Sequence, residues 1–208
     1  MRALIVANGS PLSVAYLRSL CFETDLIVLT DGAANHWDPS LPTPHYVLGD
    51  FDSIDPFHFA NLSKSQRIDA PDQDATDLEK AVIHVLRLGA NSIRIAAWEG
   101  DRQDHMLGAV SLLFKYSDVV NLKLVSPQSN IFACTGVAEV SGQIGDTISL
   151  IAFDEIPSIS MSGVKWPLVS EKITSGTRGI SNIFADPLVR ICVAGGTVII
   201  CHISNKYC

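Results

Sequence analysis

The chain lacks the cysteine spacings that build covalent or zinc frameworks. Its five cysteines (Cys21, Cys134, Cys192, Cys201 and Cys208) are scattered, odd in number and free of any C-x-x-C pair. Neither a disulfide scaffold nor a structural zinc site organises such a chain, and the thiols suit a reducing compartment. Basic charge is also short: 15 Lys and Arg against 22 Asp and Glu leave a formal net charge of −7. A sequence-independent grip on nucleic-acid backbone is therefore not expected. No uncharged apolar run reaches membrane-spanning length. The run Leu4-Ile5-Val6-Ala7, closed by Asn8-Gly9, is too short for the apolar core of a secretory signal. Internal repeats, coiled-coil heptads and low-complexity tracts are missing as well. With 208 residues, 47% of them hydrophobic, the expectation is a soluble, cytoplasmic, well-buried protein of one large or two small domains. Glutamate is the last shortage. Six Glu stand against sixteen Asp, and eleven of those Asp lie between Asp31 and Asp104. A solvated acidic surface would mix in more Glu, so this crowding suggests metal and polar-loop work.

What is present divides in two. Apolar runs at residues 3–7, 26–30, 46–48, 67–70, 93–97 and 122–125 read as strands. Helical segments near 12–20, 33–37, 56–63, 77–88 and 105–115 fall between them. The helix after Ala75 is the best marked: Thr76 and Glu79 have capping-box spacing, Leu78, Ala81, Val82, Val85 and Leu86 recur on one face, and Gly89 stops it. Such alternation predicts a Rossmann-like, mostly parallel sheet with helices on both faces over residues 1–126. After Ser126-Pro127 helical periodicity fades. β-branched runs at 147–153, 180–184, 188–193 and 197–203 predict a small antiparallel β-sandwich or barrel over 127–208. Ala194-Gly195-Gly196 reads as a hairpin between the last two runs. The fold class is thus α/β plus all-β.

The most informative stretch is Gly49-Asp50-Phe51-Asp52-Ser53, directly after a strand. Alternate residues of an extended segment share a face, so Asp50 and Asp52 converge while Phe51 turns to the core. Two converging carboxylates call for a cation, and Mg²⁺ beside a phosphate is the usual solution. In open α/β sheets ligands bind outside the carboxyl ends of the strands. That edge here carries Asn8-Gly9-Ser10, Asp31-Gly32, Asp50/Asp52, Asp72/Asp74/Asp77 and Asp101-Arg102/Asp104. Plainer roles exist for several: Ser10-Pro11 and Thr76 as helix starts, Asp77 as a partner of the helix dipole, His105 as an ordinary half-buried histidine and Trp166 as a core residue. Arg102 either pairs with the acids or holds phosphate oxygens.

Taken together, these pieces resemble the thiamine pyrophosphokinase family. The matching segments are Asp31-Gly32-Ala33-Ala34-Asn35, Gly49–Ser53, Asp72-Gln73-Asp74-Ala75-Thr76-Asp77 and Gly100-Asp101-Arg102-Gln103-Asp104-His105. Gly163-Val164-Lys165-Trp166-Pro167-Leu168 and Ser181-Asn182 follow in the second half. Two departures stand out: Ala33 where the family usually has a second glycine, and the bulky Trp98-Glu99 with Asp101 in a turn that is usually glycine-rich.

The resemblance implies an α/β catalytic, ATP- and Mg²⁺-binding domain and a β-sandwich domain for thiamine binding and dimerisation. It implies a homodimer with its active site at the subunit interface. The reaction would be diphosphate transfer from ATP, as co-substrate, to thiamine. Asp50, Asp52 and Asp77 would hold Mg²⁺, with Asp31 a further candidate. Arg102 would stabilise phosphate charge, and Gln73, Thr76 and Asp104 would position ATP or the nucleophile. Asn8, Gly9 and Gly32 would contact ATP, while Trp166, Ser181 and Asn182 would form the thiamine pocket. Asp31 and Asp77 are the candidates for a general base. Alternatives are a Mg²⁺-dependent pyrophosphokinase for another alcohol, such as a pterin, and a non-catalytic nucleotide- or thiamine-binding regulator. Phosphatases of the haloacid-dehalogenase type place their aspartate pair after the first strand. Neither they nor nucleotide-sugar glycosyltransferases account for the segments at 72–77 and 163–168.

Overall fold

A computed structural model describes residues 1–52, 54–55, 62, 64–70 and 74–205. Most of the helix expected near 56–63, Asp72 of the acidic edge and the candidate Gln73 lie outside these residues. The chain forms two compact units, Met1–Leu112 with Val120–Val125, and Leu113–Val119 with Ser126–Cys208. The segment Leu113–Val119 joins the second unit, where the Phe114 ring meets Phe153 edge-on with centroids 5.2 Å apart.

In the first unit the elements run β1 (Arg2–Val6), α1 (Val14–Phe22), β2 (Leu26–Thr30), a 3₁₀ turn (Asp31–His36), β3 (Tyr46–Gly49), β4 (Gln66–Asp69), α2 (Asp77–Arg87), β5 (Ser92–Ala96), α3 (Gln103–Lys115, its last turn in the second unit) and β6 (Asn121–Val125). The six strands are all parallel, in the order β6-β5-β1-β2-β3-β4. The chain therefore builds outward from β1 through β4, then returns to lay β5 and β6 on the other side. That reversal between β1 and β5 opens a crevice at the carboxyl edge. Central strands are apolar along their whole length because both faces are covered: every residue of β2 is buried. The edge strand β4 is polar and largely exposed, which discourages pairing with other chains. In α2, Thr76 accepts the Glu79 N–H at 3.3 Å and Ala81, Val82 and Val85 face the core. The helix ends as read, before Gly89.

The second unit is a pair of antiparallel sheets. One has the order β12-β9-β14-β7 and the other β11-β10-β13-β8, with β7 Ser129–Cys134, β8 Val137–Ser141, β9 Thr147–Ala152, β10 Ile156–Ser162, β11 Leu168–Ile173, β12 Asn182–Ile183, β13 Leu188–Ala194 and β14 Val198–Ile203. Ile148, Leu150, Val198 and Ile200 from the first sheet share one core with Ile159, Met161, Val189 and Ile191 from the second. Sequence reading missed β7, β8, β10 and β11, whose alternation is broken by polar and small residues. It also overextended the strand at 180–184, of which Asn182 and Ile183 form β12 and Phe184 makes an isolated bridge to Val164. The hairpin at Ala194–Gly196 is corrected: β13 already lies between β8 and β10, so no edge is free for β14. The turn instead carries the chain to the other sheet, where β14 fills the slot between β7 and β9. Among the described residues, no helix is long and apolar enough to cross a membrane.

One buried acid ties this unit together. Asp146, 3% exposed, accepts N–H groups from Gln143 at 2.9 Å and Asn205 at 3.1 Å, and meets His202 Nε2 at 3.0 Å. Burial pushes its carboxyl up, but the Gln143 N–H, His202 and the Asn205 N–H together hold it below the ordinary value. Its folded value lies below its unfolded one, so its contribution is full above about pH 4 and fades as pH falls through the lower, folded value. Asp146→Ala, which strands these donors, should cost about 3 kcal/mol in urea unfolding at neutral pH. An unchanged midpoint would show that the contacts are idle.

Candidate active site

The crevice between β1 and β5 is a cleft of about 680 Å³. Its walls are residues 7–11 after β1, Thr30 and Asp31 after β2, residues 76–78 at the start of α2, Ala97, Trp98 and residues 100–102 after β5, and Asp104, His105, Gly108 and Ala109 of α3. Backbone bonds fix two of these walls to each other: the Gly9 N–H donates to the Ala97 carbonyl at 2.8 Å and the Ser10 N–H to Glu99 at 2.6 Å.

The acids gather at one end. Asp31, Asp50 and Asp52 each offer a carboxylate oxygen, all within 4.8 Å of one another. Asp31 is buried while the other two are exposed. Convergence was expected, but its cause differs from strand alternation. β3 stops at Gly49, and Phe51 takes a left-handed φ of 63°, a conformation that a bulky side chain rarely adopts. The Asp52 N–H folds back onto Asp50 Oδ1 at 3.3 Å. Phe51 nevertheless packs half-buried against the core, as read. Gly49 is needed because of close approach: a Cβ there would sit 2.6 Å from the Asp31 Cβ. Gly32 is similar, its missing Cβ leaving the space that the Asn8 carboxamide fills. Ala33, the mild departure from the family pattern, is buried in the core.

Burial and hydrogen bonding act on these groups in opposite directions. Burial raises the Asp31 pKa, and the Asp77, Asp50 and Asp52 charges raise it further, against a pull downward from the Gly32 N–H. The Asp52 N–H holds exposed Asp50 below its ordinary value. Asp31 Oδ2 is buried with no hydrogen-bond partner among the described residues. An unpartnered buried carboxylate oxygen facing two further acids is a place for a cation.

Asp77 lies outside the 4.8 Å set, yet close enough for its charge to bear on Asp31. Lys80, unnoticed in the sequence, holds it: the ammonium donates to the Ala70 carbonyl at 2.6 Å and to Asp77 Oδ1 at 3.4 Å. The i, i+3 spacing from Asp77 was the one available signal. Lys80→Met should lower stability by about 1–2 kcal/mol in urea titration, through the bereft Ala70 carbonyl. A variant as stable as the parent would rule the tether out.

Arg102 and Asp104 line the cleft, paired through two hydrogen bonds of 2.9 and 2.7 Å with both side chains exposed. The Arg102 guanidinium holds Asp104 far below the carboxylate range. His105 is exposed rather than half-buried, and Asp101 is exposed at the rim. Thr76 is the N-cap of α2 and also lines the cleft. In the second unit Trp166 is 50% exposed, with the Lys165 ammonium 4.7 Å from its ring centroid. Buried Asn182 braces it, accepting the Trp166 N–H at 3.1 Å and donating to its carbonyl at 2.6 Å. Ser181 is exposed beside them at φ 62°.

Comparison with known proteins gives the family. Residues 17–125 match the family model "Thiamin pyrophosphokinase, catalytic domain" and residues 129–198 match "Thiamin pyrophosphokinase, vitamin B1 binding domain". Thiamine pyrophosphokinase of Bacillus subtilis is 31% identical over 187 residues, covering 86% of this chain and 87% of the relative. Thiamine pyrophosphokinase 1 of Oryza sativa is 27% identical over 80% of this chain and 74% of its own. The crystal structure of the Bacillus subtilis thiamine pyrophosphokinase superposes with a TM-score of 0.87 at 25% identity, covering 99% of this chain and 100% of that one. The chain belongs to the thiamin pyrophosphokinase family.

Proposed function

We propose that this chain transfers the diphosphate of ATP to the primary hydroxyl of thiamine, giving thiamine diphosphate and AMP. The observation that carries the reading is the convergence of Asp31, Asp50 and Asp52 beside the switch-point cleft, in a chain of this family. The donor set is all oxygen, and one buried oxygen lacks a protein partner, so it fits a hard divalent ion. Asp50, Asp52 and Asp77 would hold Mg²⁺, with Asp31 the fourth acid. Once bound, the ion would neutralise charge on the transferred phosphates.

The chain's own groups do the rest. The hydroxyl oxygen attacks the β-phosphorus, the bond from that phosphorus to the α,β-bridging oxygen breaks, and AMP leaves with the bridging oxygen. The hydroxyl proton passes to a cleft carboxylate, Asp31 or Asp77. Arg102, held by Asp104, is exposed on the cleft wall and reaches phosphate oxygens from there. Asn8, Gly9, Gly32, Gln73 and Thr76 position the nucleotide. A cation already rests against the Trp166 ring in the form of Lys165, which supports this indole as the platform for the thiazolium. Asn182 acts chiefly by positioning Trp166, with exposed Ser181 offering a hydroxyl. The working form is a cytoplasmic homodimer whose active site lies at the subunit interface, with light scattering the direct check on the dimer.

Incubation with ATP, Mg²⁺ and thiamine, followed by chromatography, should yield AMP and thiamine diphosphate in equal amounts. ADP or free phosphate would indicate a kinase or hydrolase. Turnover with a pterin alcohol instead of thiamine would reassign the acceptor, and binding without turnover would indicate a regulator.

A further inference from the structure

We propose that Trp98 is a binding residue for the phosphate donor, its indole N–H donating to a phosphate oxygen of the nucleotide in the cleft. This rests on the diphosphate-transfer reading above. Trp98 lines the cleft and is 8% exposed. Its Nε1 is buried and has no hydrogen-bond partner among the described residues. Buried donors are nearly always satisfied, so an orphan needs a reason. The preceding residue adds a second cost: Ala97, also buried and lining the cleft, holds a left-handed φ of 53°. Strain and an unmet donor in consecutive residues mark a turn shaped for something other than its own stability. The turn is firmly placed, because its Ala97 and Glu99 carbonyls accept the Gly9 and Ser10 N–H groups.

The chemistry of the surroundings selects the acceptor. The same cleft meets the N-terminus of α3, a helix of 13 residues, and the Arg102 guanidinium just before it. Backbone donors of a helix start, a guanidinium and an indole N–H are all donors and match a group that only accepts. A phosphate oxygen is such a group. Asp101 and Asp104 share this wall, and the bidentate pairing of Arg102 with Asp104 offsets one of those two charges.

The test compares the parent protein with Trp98→Phe, which keeps an aromatic ring but loses the N–H with the five-membered part of the indole. Calorimetry uses two probes with Mg²⁺: α,β-methylene-ATP, whose carbon bridge blocks cleavage, and inorganic tripolyphosphate. Trp98→Phe should weaken both by about ten-fold. Equal affinities for the two proteins would overturn the proposal. So would a variant that loses affinity only for α,β-methylene-ATP, since the acceptor would then lie on the nucleoside. A second measurement needs no variant at this position in the titrated sample. The indole N–H signals of Trp37 and Trp166 are assigned by replacing each in turn, which leaves that of Trp98, and this signal should move downfield and exchange more slowly when tripolyphosphate is added. A Trp98 signal that stays put would refute the bond even if Trp98→Phe fails to fold. Failure of the parent to bind either probe would instead remove the diphosphate-transfer reading and this proposal with it.

Discussion

Asp52→Asn should lower turnover by about 1,000-fold while leaving the melting curve almost unchanged. Asp52 is exposed, and the bond that shapes its turn runs from its backbone N–H to Asp50, so the amide variant keeps that bond. What it loses is one of three carboxylates converging within 4.8 Å. A neutral amide oxygen is a weaker ligand for a hard cation, and losing a charge that acts at the reacting phosphates costs on the order of 10²–10³ in rate. The Mg²⁺ concentration for half-maximal rate should rise in parallel. Surface substitutions away from packed features alter stability by about 0.5 kcal/mol or less. Near-normal turnover at ordinary Mg²⁺ would remove Asp52 from the metal set.

Gly49→Ala should do the opposite of separating the two properties: both fall together. The added Cβ would lie 2.6 Å from Asp31 Cβ and 2.8 Å from its Cγ. Asp31 is buried and cannot swing into water, so either β3 or the Asp31 turn must shift. Overpacking of this kind costs about 1–3 kcal/mol. Displacing a catalytic group by about an ångström costs on the order of 10²-fold in rate. Every carboxylate is still present in this variant, so lost turnover reports geometry rather than charge. A variant with parental stability and rate would mean that the Asp31 side chain has more room than its contacts show.

The contrast between these substitutions also explains what the sequence revealed. Carboxylate identity and spacing are visible in a string of letters, so Asp50, Asp52, Asp31 and the acidic edge were found. Strand-end placement followed from apolar runs such as Leu26–Thr30, whose burial on both faces leaves no polar interruption. The Phe51 backbone was not legible, because a left-handed φ at a bulky residue is imposed by its surroundings and opposes its own preference. Lys80 was missed since a lysine on a helix ordinarily points to water; the Ala70 carbonyl in the β4–α2 connection, together with Asp77, gives it a task. The second unit suffered most. β10 and β11 mix Ser, Pro and Lys with their apolar residues, and the route from β13 to β14 depends on which strand edges are already occupied.

The lacing of the loop after β1 to the turn after β5 has a consequence for how such a protein changes over generations. Both rungs, Gly9 to Ala97 and Ser10 to Glu99, are main chain to main chain, so the path of the turn is largely indifferent to the side chains it carries. Residues 98 and 99 can then drift without dismantling the rim, whereas burial and a left-handed φ hold Ala97. A lineage can try a small residue, a charge or an indole at that wall while the clustered acids stay where they are. The scaffold separates the inheritance of chemistry from the inheritance of preference.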